Sequence, residues 1–253
     1  MIVLETVAVA FSMFSALPMP QIEWNDKNMR WSLCAFPLVG VLIGLGCWGW
    51  LRLCGALALP DLLRGAGLCL LPVLVTGGIH LDGYAETCDA LASHAGIEKR
   101  QEILKDPHLG AFAAIRLCAY FVAAFALCTA VEPLRLPGWI GLFGLSRSLS
   151  GYALTRFPLR EGSGLARSFA DASDKKKAGA VLAAEAAVFS ALLIWSGGAL
   201  AVLAALAVLA VYRHTAERGF GGISGDLAGW FLQTAELWML GMLVLTQIGR
   251  KWL

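Results

Sequence analysis

The chain is predicted to fold as an all-α, polytopic integral membrane protein with seven or eight transmembrane helices and one short interfacial helix. Two observations predict this. Hydrophobic residues make up 58% of the 253 positions and charged residues only 15%, with a mean hydropathy of +0.69, far from the balance of a soluble domain. Uncharged or nearly uncharged runs long enough to cross roughly 30 Å of hydrocarbon fall at about 2–20, 32–51, 62–80, 108–131, 138–155, 178–195, 198–212 and 227–249. They follow one another along the whole chain, which reads as one catalytic transmembrane domain over 1–253.

The first run lacks a basic leading region and carries Glu5, so it is expected to be retained rather than cleaved. The run at 62–80 leads directly into a stretch holding Asp82, Glu86 and Asp89. Ser93 to Lys105 reads as a short amphipathic helix with Ile97, Ile103 and Leu104 on its apolar side, lying at the membrane interface. Asp106 and Pro107 then read as N-cap and first residue of the next helix. The run at 138–155 contains Arg147, which is costly in hydrocarbon unless it meets a partner or a cavity. Only Ser196, Gly197 and Gly198 join 178–195 to 198–212, so these two form a hairpin or one is re-entrant. The last run holds Glu236 deep inside it, a carboxylate that needs a partner such as Arg147 or Arg116.

Alternating sides in an eight-helix arrangement puts thirteen basic residues on one side: Lys27, Arg30, Lys99, Arg100, Lys105, Arg156, Arg160, Arg167, Lys175 to Lys177, Arg213 and Arg218. The other side holds five: Arg52, Arg64, Arg135, Arg250 and Lys251. Basic residues stay inside, so the richer side is expected in the cytoplasm and both termini outside. A net charge of +2 without a basic stripe argues against nucleic acid. Trp31, Trp139, Trp230 and Trp252 are expected to anchor helix ends at the interface. The seven cysteines form no C-x-x-C pair and read as small buried thiols.

The chemistry concentrates in Gly77-Gly78-Ile79-His80-Leu81-Asp82-Gly83-Tyr84-Ala85-Glu86-Thr87-Cys88-Asp89. Asp82, Glu86 and Asp89 stand at i, i+4 and i+7 and so share one helical face. Three acids on one stripe repel, and no Lys or Arg lies between Gly77 and Ser93 to offset them. An oxygen-ligated divalent cation, Mg²⁺, Mn²⁺ or Ca²⁺, relieves the repulsion. His80 is a candidate general base or a structural hydrogen-bonder. Arg160 and Arg167 are forks able to grip phosphate oxygens, against a background of plain positive-inside bias. Gly221, Gly222, Ser224, Gly225 and Asp226 form a glycine loop before a helix, which either cradles an anion or only turns the chain. From the residues alone the reading stops at a cation-dependent membrane phosphotransferase.

Four ordered blocks extend it. GGIHLDGYAETCDAL, preceded by Thr76, resembles the TGGLHLDGLADTADAL signature of the cobalamin synthase family, the adenosylcobinamide-GDP ribazoletransferases. Glu86 stands where Asp is usual and reaches one methylene further. ILKDPHLGAFAAI resembles the family's IMKDSRIGTFGVL, FPLREGSGLARSFAD its P-x-AR-x-x-GLG-x-x-F segment, and GGISGDLAGWFLQTAELWML its GGxTGDxxGAxxExxE block, with Gln233 in place of the first Glu. FSMFSALPMP is similar to the family's opening, with Ser15 and Ala16 for Thr and Arg.

The resemblance implies a transferase of the cytoplasmic membrane that joins adenosylcobinamide-GDP to α-ribazole or its 5′-phosphate and releases GMP, completing the nucleotide loop of cobalamin. It implies Mg²⁺, with Mn²⁺ an alternative, on Asp82, Glu86 and Asp89. Catalysis falls to these with His80, and phosphate or substrate binding to Asp106, Arg147, Arg160, Arg167, the 221–226 loop and Glu236. For Asp106 the cap and the functional role stand level. Membrane lipid is a partner, and a homo-oligomer is compatible with the pattern. A CDP-alcohol phosphatidyltransferase fits less well, because its motif has Arg where Glu86 stands. An ion-coupled transporter would place its acids near the midplane within internal repeats, and no repeat is visible.

Overall fold

The computed structural model describes residues 2–106, 108–162 and 164–251. Pro107, expected at the start of a helix, Ser163 and the Leu165 side chain in the arginine segment, and Trp252, expected as an interface anchor, lie outside the described residues. The chain runs through α1 (Ile2–Phe14), α2 (Asp26–Met29), α3 (Ser32–Ala56), α4 (Asp61–Thr76), α5 (Ile79–Ala92), α6 (Ile97–Ile103), α7 (Ala111–Ala130), α8 (Leu136–Arg156), α9 (Gly164–Ala172), α10 (Lys175–Trp195), α11 (Ala199–Phe220) and α12 (Gly225–Arg250). Among the described residues the only β pairing is an isolated parallel bridge between Leu159 and Ile223.

Each of the eight predicted runs is helical, so the all-α polytopic reading holds. Five helices, α3, α7, α10, α11 and α12, are long and apolar enough to cross a membrane, and six if α4 and α5 count as one span bent by 95°. The expected seven or eight also included α1 and α8. The 13 residues of α1 reach only about 20 Å at 1.5 Å per residue. The 21-residue α8 is long enough but carries Arg147 among Ser146, Ser148 and Ser150. Protein rather than lipid surrounds α8, which packs between α3 and α10 and is buried for most of its length. That burial explains why Trp139, expected as an interface anchor, is only 2% exposed. Both α10 and α11 have spanning length, which favours the hairpin over a re-entrant segment. Cys47, Cys54, Cys88 and Cys128 are buried as expected, whereas Cys118 is exposed on α7.

The loops expected on the basic side do meet at one end of the bundle. Arg30 pairs with Asp174 at 3.0 Å, and the Trp24 and Phe169 rings lie 5.5 Å apart. Gln101 of the short helix α6 donates to the Phe220 carbonyl at 2.8 Å, and Leu159 bridges Ile223. The next helix starts later than predicted: Gly110, not Asp106, is the N-cap of α7.

Candidate active site

A corner positions the acidic helix. Gly77 and Gly78 both adopt left-handed backbone, with φ of 66° and 82°, a region open to glycine without a steric penalty. The two residues turn the chain by 95° between α4 and α5. Their place in the motif is therefore structural: they end the apolar run and send His80, Asp82 and Glu86 across the bundle.

Helix α5 then lies on the first turn of α12. A β-carbon at Gly83 would come within 2.7 Å of the Asp226 Cα, and one at Gly229 within 2.7 Å of the His80 carbonyl. This backbone approach joins two blocks far apart in sequence. Asp82 and Asp226 act on Glu86 as neighbouring charges, and the Glu86 and Asp226 carboxyl groups are within hydrogen-bonding reach of each other. The acidic group in the structure is thus Asp82, Glu86 and Asp226. Asp89, expected as the third ligand, is turned away: its Oδ1 accepts from the Ala113 amide at 3.3 Å, at the start of α7. Gly110 makes room there, since a β-carbon would overlap the Asp89 carboxylate. Sharing a stripe did not keep the third acid with the other two, because the stripe spans two turns and its far end meets a different helix.

Beside Asp82 and Asp226 is a cavity of about 390 Å³. His80, Asp82, Arg160, Ser224, Gly225 and Asp226 supply polar lining and Phe14, Phe36 and Phe169 aromatic lining, with the Phe36 and His80 rings 5.8 Å apart. Arg160 is held by the parallel bridge: its amide donates to the Ile223 carbonyl at 3.0 Å, and the Ile223 amide donates to Pro158 at 2.8 Å. Gly222, with φ of 140°, makes this docking possible, because a β-carbon would sit 2.6 Å from the Arg160 nitrogen. The Arg160 side chain is buried, yet its Nε and Nη1 have no hydrogen-bond partner, and neither does His80 Nδ1. Buried donors left open beside a cavity are the mark of a site that completes itself with a ligand. Ser224 caps α12, accepting from the Leu227 amide at 3.4 Å and donating to Asp226 Oδ2 at 3.2 Å. Within the aromatic lining Phe14 stands 4.1 Å from Phe36 and 5.8 Å from Phe169, centroid to centroid.

Several expected site residues are elsewhere. Arg147 and Glu236 pair with each other at 2.5 Å, and Ser146 donates to Glu236 at 2.8 Å. This answers what each needed as a partner and removes both from the cavity lining. Gln233, in the position of the family's first Glu, accepts from the Tyr120 hydroxyl. Arg167 is exposed on α9 and pairs with Asp171 at 3.5 Å. Asp106 lies at the surface, where the amide and ring of His108 hold its carboxyl below the usual carboxylate range. Gly221 and Gly222 do not line the cavity; the Gly222 amide donates to the Ala216 carbonyl, closing the end of α11. The loop's anion-facing part is reduced to Ser224, Gly225 and Asp226. Sequence reading missed Phe14, Phe36, Ser150 and Phe169 in the lining. Phe14 and Phe169 stand in blocks that resemble the family's, but only charged and glycine positions there were read for chemistry, and apolar side chains in apolar runs carry no separate signal.

The donors gathered here suit phosphate chemistry. Carboxylate oxygens from α5 and α12 are the ligands hard divalent cations take, although among the described residues no three His, Cys, Asp or Glu side chains close into a ready-made cluster. An ion completing its shell with waters and substrate oxygens needs no such cluster, so the residues fit Mg²⁺ bound from one side.

Residues 6–244 match the family described as Cobalamin-5-phosphate synthase. The chain is 39% identical over 252 residues to a protein of Lachnoclostridium phytofermentans named adenosylcobinamide-GDP ribazoletransferase, covering 97% of this chain and 95% of that one. Proteins of the same name from Geobacillus kaustophilus and Geobacillus thermodenitrificans are 31% and 30% identical, covering 93% and 92% of this chain and 93% of each relative. No solved structure matches.

Proposed function

The chain belongs to the cobalamin-5-phosphate synthase family, and from that premise we propose that it joins adenosylcobinamide-GDP to α-ribazole or α-ribazole 5′-phosphate. The products are adenosylcobalamin or its 5′-phosphate, and GMP. The observation that carries this reading is the convergence of three distant blocks on one cavity holding carboxylates, an open arginine fork and an aromatic wall.

In the transfer a ribazole hydroxyl oxygen forms a bond to the phosphorus that carries the cobinamide, and the bond from that phosphorus to the oxygen of GMP breaks. Asp82, Glu86 and Asp226 would hold Mg²⁺, or Mn²⁺, which when bound offsets negative charge around the phosphorus and the leaving phosphate. Arg160 grips phosphate oxygens through Nε and Nη1, the two donors it leaves open, in the bidentate manner of its planar fork. His80 faces the cavity with Nδ1 free to take the hydroxyl proton. Ser224 orients Asp226 by its hydrogen bond. Phe14, Phe36 and Phe169 offer ring faces to a heteroaromatic base and keep water from it. The site faces the cytoplasm in this reading, with both termini outside, on the strength of the charge asymmetry.

The test is to incubate purified protein with adenosylcobinamide-GDP, α-ribazole and Mg²⁺ and to follow GMP. Stoichiometric GMP and adenosylcobalamin are expected; folded protein that releases no GMP with either ribazole form overturns the assignment.

A further inference from the structure

We propose that the end of the molecule opposite the cavity binds the phosphate of an anionic phospholipid, with Arg135 at the centre of the site. Arg135 lines two neighbouring clefts. One, about 670 Å³, lies between the ends of α10 and α12 and includes Arg250 and Lys251; the other, about 570 Å³, lies against the end of α3 and includes Arg52. Four of the five basic residues at this poorer end therefore converge on the loop between α7 and α8. The fifth, Arg64, is engaged elsewhere, with Asp61 at 3.0 Å and the Thr129 carbonyl at 2.9 Å.

Their charge is largely unopposed. Lys251 pairs with Glu132 at 2.7 Å, and among the described residues Glu132 is the only acid lining either cleft. Among the described residues Arg52, Arg135 and Arg250 form no ion pair. Arg135 is also the N-cap of α8, whose first turn has no side-chain cap, so the helix end adds its own preference for an anion.

The rim selects lipid over a soluble anion. Trp48 and Trp195 flank the clefts and are 37% and 70% exposed, the amphipathic rings that settle at headgroup depth. Ile194 beside them and Ile248 one turn back on α12 are also exposed, giving acyl chains an apolar path away from the arginines. Basic pockets between transmembrane helices hold anionic headgroups by this combination.

The test uses full-length protein in detergent, with bound lipid counted by native mass spectrometry and melting temperature followed on addition of phosphatidylglycerol, phosphatidylcholine or glycerol phosphate. Wild type is expected to retain and be stabilised by phosphatidylglycerol over phosphatidylcholine, and to ignore glycerol phosphate. R135Q/R250Q should lose this preference by roughly 30-fold, about a factor of five for each cation removed, with its helix content and lipid-free melting temperature as folding controls. Should the double variant fail to fold, R250Q alone should show the fivefold loss. Equal retention of the two lipids, or a preference that survives in the variants, overturns the site. Equal stabilisation by glycerol phosphate overturns the lipid and leaves a soluble-anion pocket.

Discussion

Two groups of charge draw on helix α12, one buried in the interior and one beside the cavity, and they differ in how they are satisfied. In the interior, Arg147 Nη1 reaches Glu236 at 2.5 Å, Ser146 at 3.1 Å and the Phe143 carbonyl at 3.1 Å. The guanidinium also lies 5.6 Å from the Phe143 ring. Its Nε is buried without a partner. Toward the loops, Asp82 and Asp226 line a cavity with Arg160 and His80, Glu86 stands next to the two acids, and Arg160 and His80 keep polar atoms open. An intramembrane charge is by default a functional candidate. The comparison refines that rule: a charge whose partner is another charge of the same chain holds helices together, and a charge left open against a cavity waits for a ligand.

The largest effect that separates the two groups is on turnover. Asp82→Asn and Asp226→Asn should each lower kcat by roughly a thousandfold or more, as loss of metal-assisted charge stabilisation does, and excess EDTA should match them. Melting temperature should hold or rise, because a repelling acid has been removed. A variant that melts early and is inactive for that reason would put the acids in the same class as the interior pair.

Next comes the reverse pattern. Glu236→Gln leaves Arg147 buried opposite a neutral group and should cost about 3–5 kcal/mol of stability, read as a fall in melting temperature or in resistance to denaturing detergent. Replacing both, Arg147→Met with Glu236→Leu, should recover most of that loss and retain activity. If Glu236→Gln melts like wild type but has lost turnover, the pair belongs to the chemistry and the comparison fails.

Arg160 gives a smaller, sharper effect. Arg160→Gln removes a charge-assisted hydrogen-bonding fork worth about 1.5–3 kcal/mol, so KM for the nucleotide substrate should rise roughly 10- to 100-fold. Arg160→Lys should keep the charge but recover only part of the loss. Arg167→Gln, on an exposed residue already paired with Asp171, should change neither constant appreciably. Equal losses at both arginines would show that loop charge matters and the buried fork does not.

The sequence made the helices legible because each apolar run is long, and it made the chemistry legible because acids are rare in such a chain. Periodicity put Asp82 and Glu86 on one face correctly. It had no means of knowing that Asp226 would be brought beside Glu86, since that depends on backbone contact at Gly83 over more than half the chain. The corner at Gly77 and Gly78 was hidden inside an uninterrupted apolar run. Burial of α8 by protein was hidden too, because a helix lined by protein and one lined by lipid both read as apolar. Phe36 carries no mark of function, and Phe14 and Phe169, though they stand in blocks that resemble the family's, show no shared role until the fold brings them to one cavity. Arg147 and Glu236 were singled out as needing partners, and the sequence narrowed the partner of Glu236 to Arg147 or Arg116; packing selects Arg147.

The smallest expected effect tests the third acid of the stripe, which the fold sets against the start of α7. Asp89 supplies in trans what Gly110, as N-cap of α7, lacks: a side-chain acceptor for the third amide of the helix. Asn keeps an oxygen able to accept, so Asp89→Asn should cost a few tenths of a kcal/mol, whereas Asp89→Ala should cost about 1 kcal/mol, the ordinary worth of a cap. Neither should change the Mg²⁺ dependence of turnover. Glu86, one helical turn earlier, should behave oppositely: Glu86→Gln should weaken metal dependence severely while Glu86→Asp, the family's residue, keeps substantial activity with an altered Mg²⁺ to Mn²⁺ preference. The two carboxylates share a helix, a face and a charge, so any difference comes from what each side chain meets. If Asp89→Asn abolished turnover at an unchanged melting temperature, Asp89 would have to swing from α7 to the cavity during the reaction, and the acid set would be the one the spacing first suggested.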